Sequence, residues 1–169
     1  MNQEAFLTLF TPVQDKMYRF ALRLLSSKEA AQDAVQEVMT KLWNKRERIK
    51  GYTNPQAFAM TMTKNYCLDQ LKLKQNNTMR IVHSNYEDQG RNPAAIAEVK
   101  DELDFVRKIM DQLPEQQQMV LQLRDIEQQE FKEIAEVLEM SETAIRVTLS
   151  RARKKIREEL LKVHRYGIA

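Results

Sequence analysis

Cations crowd the C-terminal end of this 169-residue chain. Residues 143–169 carry eight Lys and Arg against two Glu, whereas residues 101–142 carry four basic and twelve acidic side chains. A polyanion therefore meets a strong local field, although the formal net charge is only +3. Neutralising a phosphate with Lys or Arg releases condensed counterions, and a guanidinium can also read base edges in the major groove. Bond-making chemistry has no comparable support. Gly51, Gly90 and Gly167 stand too far apart for a phosphate-cradling loop. Cys67, His83 and His164 lack zinc-ligand spacing, no nucleophile–base motif is recognisable, and a single cysteine forms no internal disulfide. Cys67 reads as a small buried apolar side chain. The expectation is binding, with no catalytic residue, cofactor, metal or small-molecule substrate.

Presenting the C-terminal cations to a duplex requires a rigid element. Residues 131–138 have the pattern of a short helix, Glu139-Met140-Ser141 that of a three-residue turn, and residues 142 to about 163 that of a longer helix. This is the outline of a helix-turn-helix, in which the first helix braces the second and the second enters the major groove. Ile134, Ala135 and Leu138 are the predicted brace for Ile145 and Leu149. Ser141 can cap the second helix, with Glu142 in its first turn. Thr143, Arg146, Val147, Ser150 and Arg151 then face outward toward bases or phosphates. Arg153, Lys154, Lys155 and Arg157 would add mainly phosphate contacts.

Gly and Pro together make seven of 169 residues, which favours long helices with few tight turns. Phe6, Phe10, Val13, Met17, Phe20 and Leu24 recur at helical spacing. After a cap at Ser26 or Ser27, a second row runs through Ala31, Ala34, Val35, Val38, Leu42 and Ile49. Asn54-Pro55 is a cap and first-turn pair for a third helix, expected to reach about Gln75. It carries an apolar row at Ala57, Met60, Cys67, Leu68 and Leu71, and a polar row at Asn65, Asp69, Lys72 and Asn76. A polar stretch without sustained period follows, until Leu103, Val106, Ile109, Met110 and Leu113 resume the pattern and Pro114 opens another helix. The predicted fold is all-α: two small helical domains, residues 1–75 and 101–169, joined by a flexible linker over 76–100. With no basic leader and no run of about eighteen apolar residues, a cytoplasmic protein is expected.

Two of these segments resemble a known family. Residues 31–43, AQDAVQEVMTKLW, look like the signature helix of region 2 in bacterial sigma factors. Leu113-Pro114-Glu115, Glu133-Ile134-Ala135, Met140-Ser141 and Leu149-Ser150-Arg151-Ala152-Arg153 are similar to region 4. The presence of these two regions alone resembles the extracytoplasmic-function (ECF) group. The resemblance implies a dissociable, non-catalytic subunit that directs core RNA polymerase to promoter DNA. Asp33, Gln36, Glu37 and Thr40 match the stripe that docks on the clamp helices of the polymerase's largest subunit. Asn65, Asp69 and Lys72 match the segment that reads the minus-ten element as a separated strand, and Lys50, Tyr52 and Asn54 the loop that captures an extruded base. Ser141, Thr143, Arg146, Val147, Ser150, Arg151 and Lys154 would serve the minus-thirty-five element. The family also implies an anti-sigma factor, membrane-linked in some cases.

Four positions depart from the family pattern. Phe58 stands where Trp is common, Gln118 where Arg is, Glu139 where a turn Gly is, and Thr148 where a basic residue is. A left-handed turn is easier for Gly than for Glu. Gln118 and Thr148 shift the expected upstream contacts toward Arg146, Ser150 and Arg151. Two further readings remain at this stage: a conventional helix-turn-helix regulator that binds a two-fold operator by itself, and a helical adaptor whose basic stretch binds a partner protein.

Overall fold

The computed structural model describes residues 1–82 and 102–165, with side chains for 1–77 and 103–165. Every regular element among them is helical. The Asn2 carboxamide oxygen accepts the Ala5 N–H at 2.8 Å and opens α1, Gln3–Leu25. Ser26 ends it in a left-handed conformation, and the Ser27 hydroxyl accepts from Ala30 to start α2, Lys28–Asn44. The apolar row that the spacing predicts as far as Ile49 breaks at Lys45. Ile49 lies instead in a one-turn helix, α3, Arg46–Ile49, where it is fully buried. Asn54 caps α4, Pro55–Val82, by accepting the Ala57 N–H at 3.0 Å.

Helix α4 runs seven residues past its expected end, so residues 76–82 are helix rather than tether. The remainder of the expected linker, 83–101, lies outside the described residues. The chain resumes in α5, Glu102–Gln112. Pro114 sits at the N-cap of α6, Glu115–Leu121, one position earlier than its expected place in the first turn. Helix α6 continues into a π-helical turn, Gln122–Ile126, which no periodicity announced. Helices α7, Phe131–Leu138, and α8, Glu142–Arg165, complete the expected helix-turn-helix.

Phe10, Met17 and Phe20 on α1 are fully buried, packing with Ala34, Val38 and Leu42 of α2 and Ala59, Met60 and Cys67 of α4. Each large apolar side chain so enclosed contributes about 1.5–3 kcal/mol. In the second half, Ile134 and Leu138 are buried with Ile145 and Leu149 as the predicted brace, Ala135 is only partly buried against the same core, and Val137 and Ala152, not singled out from the sequence, join it. The two halves do not stand apart. Helix α4 packs against α1 and α2 and also against α7, while α1 touches α6, so one apolar core runs through both.

Candidate nucleic-acid interface

Helix α8 presents one face outward. Thr143, Arg146, Val147, Ser150, Arg151 and Lys154 are all exposed, opposite the buried seam of Ile145, Leu149 and Ala152. Ser141 has a different employment: its hydroxyl accepts the Ala144 N–H at 3.1 Å, fixing where the helix starts. Glu139 takes the left-handed turn conformation, φ 55° and ψ 43°, that the sequence assigned more easily to Gly. The Thr148 hydroxyl donates to Ala144 O of its own helix, and the Gln118 amide donates to Asp111 O and Leu113 O. Both departures from the family pattern are thus committed to local backbone. Lys154 and Lys155 lie 4.0 and 3.2 Å from Glu158 and Glu159, one turn along.

In the first half, Asp33, Gln36, Glu37 and Thr40 form an exposed stripe on α2. Asn65, Asp69 and Lys72 form an exposed row on α4, and Lys50 is exposed before it. Tyr52 is half-buried, its ring edge-on to Phe58 at 4.9 Å. Tyr66, which periodicity did not single out, bridges stripe and row. Lys41 Nζ lies 5.4 Å from its ring centroid, and burial, with Glu37 and Asp33 nearby, raises its hydroxyl pKa. Its neighbour Asn65 belongs to the polar row, so its adjacency was the available signal. Among the described residues, no His, Cys, Asp and Glu cluster could hold a metal. Nor is any helix among them long and apolar enough to cross a membrane.

Residues 9–77 match the sequence family Sigma-70 region 2, and residues 106–156 match Sigma-70, region 4. The chain belongs to the sigma-70 family, in its extracytoplasmic-function group. It is similar to the ECF RNA polymerase sigma factor SigX of Bacillus subtilis, at 22% identity over 164 residues, spanning 94% of this chain and 84% of that one. The probable RNA polymerase sigma factor RfaY of Xanthomonas campestris is 26% identical across 94% of this chain, but only 41% of its own length is matched. The fold matches the sigma factor RpoE of Bartonella quintana, solved with the anti-sigma factor NepR. That likeness has a TM-score of 0.75 and 23% identity over 95% of this chain and 98% of that one.

The two halves of this sigma factor are joined by charged contacts as well as by apolar packing. Arg19 grips both carboxylate oxygens of Glu127, at 2.6 and 2.8 Å. Arg23 reaches Asp111 at 2.8 Å and the Gln122 carboxamide oxygen at 3.3 Å. Lys64, only 5% exposed, points its ammonium at Glu139, 4.0 Å away. Beside them a small cavity of about 80 Å3 is lined by Asn54, Gln56, Gln129 and Glu133 among others. Among the described residues, the buried Gln129 carboxamide oxygen finds no hydrogen-bond partner. Asn54, which the resemblance put in the base-capture loop, is half-buried, serves as the α4 cap and lines this cavity with residues of the second half.

Proposed function

We propose that this transcription-initiation subunit docks core RNA polymerase through Asp33, Gln36, Glu37 and Thr40 and grips a promoter at two places. The α2 stripe meets the clamp helices of the largest subunit. Lys50, Tyr52, Asn54, Asn65, Asp69 and Lys72 engage the minus-ten strand as it separates, and a captured base regains part of the stacking energy it loses. Upstream, the α8 face from Thr143 to Lys154, started by the Ser141 cap, holds the minus-thirty-five duplex. No covalent step is required of any residue. Two weak contacts on one scaffold reinforce each other through effective concentration.

The observation that carries this reading is the simultaneous exposure of the α2 stripe, the α4 row and the α8 face on one chain. The likeness to a sigma factor crystallised with an anti-sigma factor supports an anti-sigma partner for this chain as well. Transcription by core polymerase from a promoter library, with and without the chain, tests the proposal. Initiation from a distinct promoter set should require the chain, and replacing Asp33, Gln36 and Glu37 together by Ala should abolish it while leaving helicity intact. Avid binding to a palindrome without any association with polymerase would replace this reading with the conventional regulator.

A further inference from the structure

The π-helical turn before α7 places Asp125 against the basic helix and Arg124 against the first residue of α7. Arg153 is bound side-on by Asp125, donating Nε to Oδ2 at 3.0 Å and Nη2 to Oδ1, and this hydrogen bonding raises the guanidinium pKa. Arg124, held by Gln129 O at 2.8 Å, stacks on Phe131 with its Cζ 4.3 Å from the ring centroid. The same ring receives Arg146, Cζ at 4.7 Å, and is that guanidinium's one partner among the described residues. Arg146 and Arg153 are seven residues apart, on one stripe of α8, and line the same groove of about 620 Å3. Two neighbouring arginines are therefore treated differently. One rests on a ring that restrains it while leaving its N–H donors unsatisfied, and the other is engaged by a carboxylate that a phosphate would have to displace.

We infer that Phe131 and Asp125 are positioning residues that set DNA specificity: Phe131 holds Arg146 ready for a base edge, and Asp125 withholds Arg153 from indiscriminate phosphate binding. The inference rests on the duplex-reading role proposed for α8. A restrained guanidinium loses less freedom on forming a bidentate base contact, so Phe131 favours the correct sequence. An arginine bound to phosphate strengthens every sequence alike, so Asp125 weakens the wrong ones. Both residues widen the same ratio, from opposite ends.

The test uses the full chain with core polymerase and two labelled duplexes of equal length: one selected from a random pool by the wild-type complex, and one scrambled. Phe131→Leu should lower affinity for the selected duplex about ten-fold and leave the scrambled one unchanged, with Phe131→Tyr restoring wild-type binding. In an Arg146→Ala background, Phe131→Leu should change the ratio by no more than about two-fold. Asp125→Asn should tighten the scrambled complex several-fold and steepen its salt dependence by about one counterion. Asp125 is on the surface, so this variant carries the test even where Phe131→Leu fails to fold. An unchanged ratio in Phe131→Leu, or equal or weaker scrambled binding in Asp125→Asn, overturns the inference. If the wild-type complex selects no duplex, or one whose selection survives removal of all α8 cations, the duplex-reading role itself fails.

Discussion

Arg19 of α1 and Glu127, just beyond the π-helical turn, form a two-toothed ion pair across 108 residues of sequence. The Glu127 side chain is 4% exposed and Arg19 about half exposed, so the carboxylate is the partner that depends on the pairing. Arg19→Ala would leave Glu127, among the described residues, with only the Gln122 amide, 3.3 Å away. The expected cost is about 1–3 kcal/mol, between the value of a surface pair and that of a broken buried one. Faster amide exchange in α6 and α7, with a lower urea midpoint, is the signature. Unchanged exchange in those helices would show that the Arg19–Glu127 pair does not hold the halves together.

Lys64 shows the opposite balance. Its ammonium is enclosed, while its partner Glu139 is 74% exposed along the side chain and returns to water at little cost. Lys64→Met keeps most of the volume and removes the charge that must be desolvated, so stability should hold or rise by about 1 kcal/mol. Lys64→Glu sets two carboxylates together and should part α4 from the turn. Urea unfolding of the two variants separates these outcomes, and a large loss in Lys64→Met would mean the ion pair outweighs its desolvation.

Much of this fold was legible because its signals are local. Ser27, Asn54 and Ser141 cap the helices assigned to them, since a cap needs only its own side chain and an N–H three residues on. The exposed stripes on α2 and α8 follow from one buried face each. Helix α4 was read less well. It buries residues against α1 and α2 on one side and α7 on the other, so Thr63 and Lys64 go inside although neither fits an apolar row. The π-helical turn and the pairing of Arg19 with Glu127 depend on partners far away in sequence, which no local period encodes. The loop at Lys50 to Asn54 lies where its Asn54-Pro55 signal put it, but that Asn54 shares a cavity with Gln129 and Glu133 is a tertiary fact.

Cys67 is fully buried, and burial pushes its thiol up to about 12. At pH 8 the thiolate fraction is roughly one in ten thousand, and it is the thiolate that reacts. A disulfide reagent should leave the native protein untouched over the time in which it labels a denatured sample completely. Rapid native labelling would show that α4 opens locally and would make Cys67 a candidate oxidation sensor.

Asn54 separates a folding role from a reading role. Its carboxamide oxygen caps α4, so Asn54→Ala should cost about 1 kcal/mol whatever the DNA does. Serine also caps, so Asn54→Ser should melt near the wild-type temperature. If the carboxamide recognises a captured base, promoter opening by the polymerase complex, read by permanganate reactivity, should fall in both variants, whereas the melting shift appears only in Asn54→Ala. Gln129 and Glu133 line one small cavity with Asn54, so if a captured base needs that space the Arg19→Ala variant should open the promoter more readily than the wild type. Full opening by Asn54→Ser would leave the residue as a helix cap and transfer base capture to Tyr52 and Lys50.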